Sequence, residues 1–262
     1  MYAEIKWMCR HQIAALRNYM KVWCKDVVAW RRFWNSYRVY KRLAADNIQP
    51  TLESLYPCIR DDSAETPIEP VYFYQDSWAF ERFVQNKPLT HVDIGSHNKF
   101  VALLSKVVPV TMVDIRPLSL PLNTLQFRYG SILDLPFETG SVHSLSSLSV
   151  IEHIGLGRYG DPLDPSGTEK AITELKRILA PGGYLYLALP VSDENTVHFN
   201  AGRILSIKYV TQLLEPLHLI EQAYIVGSSL QSNYEHRPWF ETTALFVLKM
   251  PYELGRRSFP CM

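Results

Sequence analysis

The chain has 262 residues, 47% of them hydrophobic and 20% charged, with 27 Lys and Arg against 26 Asp and Glu. That balance suits a well-filled globular body with a modest extension, and excludes a disordered chain, which is poor in apolar residues and strongly charged. Twelve glycines without a short repeat exclude a collagen-like or low-complexity protein, and no run of about 18 uncharged apolar residues offers a spanning helix.

The near-zero net charge hides an asymmetry. Residues 1–45 hold ten cations against Glu4 and Asp26, net +8, leaving 17 cations and 24 anions elsewhere, net −7. Apolar residues recur at helical spacing through Ile5, Met8, Ile13, Leu16, Met20 and Trp23, and no proline precedes Pro50. One long or two shorter helices are expected there. Lys6, Arg10, Arg17, Lys21 and Lys25 break this segment as a secretory leader. Trp7, Tyr19, Trp23, Trp30, Phe33, Trp34, Tyr37 and Tyr40 make the arm aromatic as well as basic. Such an arm serves either as a cap on the body or another subunit, or as an anchor on an anionic membrane surface. Nucleic acid ranks last, because no reading motif accompanies the charge. Cys9, Cys24, Cys58 and Cys261 lie far apart without a CxxC pair, which suits reduced cysteines in the cytoplasm or on the inner face of a membrane.

The expected organisation is therefore an arm (1–46), a Pro-rich acidic linker (47–70) and an α/β body (71–262). In the body, an aromatic segment Tyr72–Asp76 precedes a short helix from Trp78 to Val84. Strands are expected at 89–95, 108–114, 125–129, 142–147 and 184–190, with helices at 100–106, 168–179 and 207–214. Two late strands, 219–226 and 243–250, form an antiparallel hairpin at one edge. The whole reads as a Rossmann-like, doubly wound, mainly parallel seven-stranded sheet. Ligands bind such sheets beyond the carboxyl ends of the strands.

The first strand ends Val92-Asp93-Ile94-Gly95-Ser96. A glycine at that turn admits a ligand close to the backbone, and Asp93 is placed to accept from an ammonium or hydroxyl group. Asp114, at the end of the second strand, is placed for two ribose hydroxyls. The residues after Gly95 are Ser96, His97, Asn98 and Lys99, so the GxGxxG turn of a nicotinamide dinucleotide site is missing. An acid before the turn and another after the second strand suit a ligand with an amino acid head and a nucleoside, which describes S-adenosylmethionine.

At this point the chain resembles the class I S-adenosylmethionine-dependent methyltransferases. The resemblance spans roughly residues 88–250 and rests on His91-Val-Asp-Ile-Gly95, Val113-Asp114, Gly130-Ser-Ile-Leu-Asp-Leu-Pro-Phe137, Val150-Ile-Glu-His-Ile154 and Leu179–Pro190 in that order. Tyr72–Asp76 and Gly155–Pro162 resemble a narrower methyltransferase-like family of unknown function associated with bacterial surface-polysaccharide genes. The resemblance implies Asp93, Gly95 and Ser96 around the methionine part, Asp114 and Ile115 at the ribose, and Ser131 and Ile132 beside the adenine. Ser131 stands where such enzymes often carry an acid, with Asp134 the nearby substitute. Two glycines are replaced by His97 and Lys99.

Segment 149–164 is expected over the reaction centre, with Ser149 at its head against the cofactor. His153 is the candidate general base, since imidazole accepts a proton near neutral pH, and Glu152 would orient it. Asp161 joins them as a catalytic candidate, and no third ligand makes the Glu152–His153 pair a metal site. Gly155, Gly157 and Gly160 give a loop whose Arg158, Tyr159 and Asp164 would meet a polar, glycan-like acceptor. Asn200, Arg203 and His236 are further substrate candidates. The expected activity is O-methylation of that acceptor. The alternative is a catalytically inactive module that binds a membrane or protein partner through its arm.

Overall fold

The computed structural model describes residues 2–252, with side chains described from Met20 onward except Lys21. Cys261 and the side chain of Cys9 lie outside the described residues, as do the arm's side chains before Met20. The chain divides into two compact units, 1–67 and 68–262.

The first unit is one unbroken helix, α1 (Tyr2–Leu43), followed by an irregular strap. The linker expected at 47–70 is not slack. Gln49 Nε2 donates to the carbonyls of Lys41 (3.0 Å) and Ala44 (2.6 Å), satisfying acceptors that a helix end leaves open. Arg60 grips Asp26 of the helix through Nη2 (2.9 Å) and Nε (3.2 Å). Arg32 reaches back to Asp62 and to the carbonyl of Ile59. Prolines deny the strap regular structure, and these contacts lay it along α1 instead.

In the second unit α2 (Pro70–Asn86) absorbs the aromatic segment read as separate from it. Pro70 stands in the first turn, where its missing N–H costs nothing, and the Glu69 carboxylate accepts from Tyr72 N at 2.7 Å. Next come β1 (His91–Ile94), α3 (Asn98–Leu104), β2 (Val110–Asp114), β3 (Leu125–Tyr129) and β4 (Val142–Leu148). Then follow α4 (Gly167–Ile178), β5 (Leu179–Ser192), β6 (Thr196–His198), β7 (Gly202–Ser206), α5 (Ile207–Leu214), β8 (His218–Val226), β9 (Ser229–Gln231) and β10 (Thr242–Lys249).

The main sheet runs β3-β2-β1-β4-β5-β10-β8-β9, parallel from β3 to β5. Side chains alternate between two cores. Val92 and Ile94 of β1 and Leu185, Leu187 and Leu189 of β5 face α4 and α5. Tyr186 and Ala188 of β5 face α2 and α3 with Val110 and Met112. Both faces are thus covered, as a parallel sheet requires.

The two late strands, β8 and β10, pair antiparallel as expected, but the strand count and the edge differ. Among the described residues ten strands form rather than seven, and β10 inserts between β5 and β8, antiparallel to both. Residues 242–248 are buried without a break, so this charge-free run occupies an interior position. The edge falls to the short β9. Among the described residues, no helix is long and apolar enough to cross a membrane.

Candidate active site

The tips of β1, β2 and β4 meet at one end of the parallel strands. Gly95 follows β1 with φ +68°, and a Cβ there would stand 3.2 Å from Val150 and 3.9 Å from Asp114 Oδ2. The turn therefore lies against the Asp114 carboxylate, with room only for glycine.

Asp93 does not face that turn from outside. It is fully buried, accepting from Ser96 N (3.0 Å) and from the Ser146 hydroxyl. Ser146 in turn accepts from His91 Nε2 (2.8 Å), and His91 Nδ1 accepts from Ser144 (2.8 Å). Burial pushes the Asp93 carboxyl up to about 6 and the His91 imidazole down to about 3, so the ring stays neutral. Asp93 holds the turn from beneath and ties β1 to β4. The expected contact with a methionine head is corrected to a positioning role. Ser96 shares it, its hydroxyl accepting from Leu148 N at 3.0 Å.

Asp114 remains at the strand tip, but it has a partner. Arg116 donates to Oδ1 through its backbone N–H (2.8 Å) and Nε (3.3 Å), and to Oδ2 through Nη2 (3.3 Å). The Arg116 guanidinium also lies 4.3 Å from the centre of the Tyr159 ring, so the glycine loop reaches back over the ribose acceptor. Ile115 is half-buried beside it. Ser131 bonds locally to Leu133 N (3.2 Å), and Ile132 is buried in the core below, so its side chain is corrected from an adenine wall to core packing.

Ser149, the residue directly after β4, has φ +54°, and its hydroxyl donates to Gln75 Oε1 at 2.7 Å. Gln75 is fully buried on α2. The same helix presents Tyr72, whose ring packs 4.8 Å from that of His97, and Asp76, 3.7 Å from His97 Nδ1. His97 thus turns toward α2, and Lys99 is exposed. Sequence reasoning missed Gln75, Tyr72 and Arg116 as site residues. Only the spacing of two between Asp114 and Arg116 was a local signal.

Glu152 and His153 lie in a short 3-10 turn (Ile151–His153). Glu152 is 3% exposed, its Oε2 has no hydrogen-bond partner, and burial pushes its carboxyl up to about 8. His153 Nδ1 donates to the carbonyl of Ala201 at 2.7 Å, which leaves the Nε2 lone pair 3.7 Å from Glu152 Oε1. Burial and the nearby Arg158 push this imidazole down to about 4. The expected base is therefore weak, and the proton at neutral pH rests on its neighbour.

Three further candidates build the glycine loop and are corrected from chemistry to scaffold. Asp161 accepts from Gly155 N (2.6 Å) and Tyr159 N (3.2 Å). Asp164 accepts from Lys170 (2.7 Å) and Ser166 N (3.0 Å). Arg203 is 5% exposed and donates to the carbonyls of Ile154, Asp164 and Pro165 and to the Thr168 hydroxyl. Arg158 donates to Ala201 O (2.8 Å) and, with Arg116, flanks Tyr159.

A hollow of about 430 Å³ opens beyond β5, lined by Asp193, Glu194, His198, His236 and Trp239 among others. Trp239 has φ +60° and stacks on His198 at 4.9 Å. Gly202, the ladder partner of His198, packs close to His153: a Cβ there would stand 3.1 Å from Phe240 and 3.2 Å from His153 Nδ1. His236 lies 3.3 Å from Asp193. Asn200 is exposed at φ +65°.

Residues 137–229 match the model of the family described as Caenorhabditis protein of unknown function, DUF268. That stretch contains Glu152, His153, the glycine loop and Arg203. No curated protein matches the chain. Among solved structures, the N-methyltransferase NodS from Bradyrhizobium japonicum in complex with S-adenosyl-L-homocysteine is 18% identical. The likeness covers 83% of this chain and 99% of that one, with a TM-score of 0.51. The [4+2]-cyclase SpnF is 14% identical over 68% of this chain and 80% of its own, with a TM-score of 0.50. At such identities the likeness establishes the fold. The sheet is the class I methyltransferase fold, and these two proteins on it carry different chemistries.

Proposed function

We propose that the body binds S-adenosylmethionine and methylates an oxygen of a polar, glycan-like acceptor held in the hollow beyond β5. The observation that carries this reading is the approach of the Gly95 turn to Asp114 at the tip of two neighbouring parallel strands. The turn has the open backbone that a ligand needs, and Asp114 has the acceptors for a ribose diol once Arg116 swings aside. Gly95, Asp114 and Ile115 would hold the cofactor, with Ser131 at its adenine end. Bound there, it supplies an electrophilic methyl group on a sulfonium.

The chain then has to align an acceptor and remove its proton. Glu152, rather than His153, takes that proton, because its carboxylate is the stronger base of the pair once ionised. His153 shares the Ala201 carbonyl with Arg158 and so positions the glycine loop. The aromatic face of Trp239 with His198, beside the carboxylates of Asp193 and Glu194, suits a sugar ring and its hydroxyls.

Titration with S-adenosylhomocysteine tests cofactor binding. Heat is expected from the native chain and much less from Asp114→Ala; no heat from either overturns the reading. With an acceptor in hand, kcat/KM is expected to rise with pH through about 8, and to lose that limb in Glu152→Gln.

A second reading, a module without methyl transfer that binds a partner through its arm, draws support from Arg116 occupying both oxygens of Asp114. S-adenosylhomocysteine binding gained in Arg116→Ala and absent from the native chain would favour it.

A further inference from the structure

Helix α1 has two apolar edges with different fates. One, through Ala29, Phe33 and Tyr37, is half covered; the Tyr37 hydroxyl donates to the carbonyl of Pro50 in the strap at 3.5 Å. The other runs through Met20, Trp23, Val27, Trp30 and Trp34, stands largely open over that length, and meets the first at Tyr37. Met20 is 64% exposed, Trp23 59% and Val27 49%.

The steps along this open edge alternate between three and four residues, and the sequence continues them back through Leu16, Ile13 and Cys9. That is a period of 3.5 held over four heptads. A stripe of that period drifts about 20° per heptad around a straight helix, so it leaves a flat surface and stays in contact only with a helix that winds around it. A bilayer is the poorer match and a second helix the better one.

We propose that α1 pairs, parallel and in register, with α1 of a second copy of this chain. The flanks of the seam choose the orientation. Cys24, Arg31 and Arg38 stand on one side, and Asp26, Phe33 and Tyr40 on the other. An antiparallel pair would set arginine flank against arginine flank. A parallel pair sets the arginines against the flank that carries Asp26, Phe33 and Tyr40, bringing Arg38 to Phe33 of the second copy and Arg31 to Asp26, which already holds Arg60 of its own chain. Trp23, Trp30 and Trp34 supply the large apolar area on which such contacts depend.

Sedimentation equilibrium and light scattering of the full chain at micromolar concentration test the pairing. The expected mass is that of two chains, falling to one in Val27→Asp and in Trp30→Asp with the far-ultraviolet circular dichroism retained. Val28→Asp, off the seam and 68% exposed at the native residue, is expected to leave the pair intact. For orientation, Val27→Cys in a chain whose native cysteines are all serine should link two copies on mild oxidation. A single-chain mass for the native protein overturns the proposal, as does a two-chain mass that survives Val27→Asp or a pair that fails to link. Single chains that sediment with phosphatidylserine–phosphatidylcholine vesicles would assign the edge to a membrane instead.

Discussion

Arg116 holds both carboxylate oxygens of Asp114, with its backbone N–H and Nε on Oδ1 and Nη2 on Oδ2. The Asp114 side chain is 10% exposed and that of Arg116 55%, so the arginine is the part free to leave. A ribose diol and this guanidinium compete for the same lone pairs.

Removing the competitor should help a nucleoside. Arg116→Ala is expected to tighten S-adenosylhomocysteine binding by up to about fivefold, the worth of roughly 1 kcal/mol for a partly exposed ion pair. Calorimetric titration measures it. Weaker binding would make Arg116 a ligand contact rather than a rival.

Glu152 links the site to stability. Its folded-state pKa of about 8 lies above the ordinary 4.5 because of burial. The folded chain thus keeps a proton that the unfolded chain releases as pH rises through that window. Its stabilising contribution is complete below about pH 4.5 and is lost as pH approaches 8. Glu152→Gln removes the loss, so it should exceed the native chain by on the order of a few kcal/mol in alkali and lose that advantage in acid. Thermal unfolding across this range tests it; parallel curves would mean that Glu152 ionises freely.

Asp93 accepts from Ser96 N and from the Ser146 hydroxyl at once. Asparagine has one acceptor oxygen, and its amide would meet one of those donors head on. Asp93→Asn should therefore loosen the turn and weaken S-adenosylhomocysteine binding by about tenfold, as loss of one charge-assisted hydrogen bond implies. Unchanged affinity would detach the buried relay from the site.

The glycine loop offers an internal comparison. Gly155 has φ +80°, and a Cβ there would fall 2.1 Å from the carbonyl oxygen of Asp164. Gly160 has φ +84° with nothing within 4 Å. Gly155→Ala should cost about 3 kcal/mol or more, and Gly160→Ala about 1 kcal/mol, because only the first adds a backbone collision to the strain. Urea unfolding of the two variants gives the ranking. Equal costs would show that the loop relaxes around residue 155.

Much of the body was legible because its signals are local. Val110–Asp114 and Leu125–Tyr129 are short β-branched or aromatic runs between turn residues, and Asp114 announces itself as a strand-end acid. The insertion of β10 was not legible, since an apolar run states that it is buried and not between which neighbours. Nor was the fate of Asp161 and Arg203, whose partners, Gly155 N and the Ile154 carbonyl, become neighbours only when the loop closes. His153 looked like a base because imidazole ordinarily titrates near neutrality. Burial and Arg158 reversed its order with Glu152.

By itself, the sequence determined the basic helix, the alternation of strand and helix, and the glycine turn between two acids, since these follow from charge, spacing and backbone freedom along the chain. The tertiary structure decided which carboxylate is buried beneath the turn, which one meets Arg116, and which member of the Glu152–His153 pair keeps the proton. Those outcomes depend on desolvation and on partners far away in sequence, and only folding brings both to a side chain.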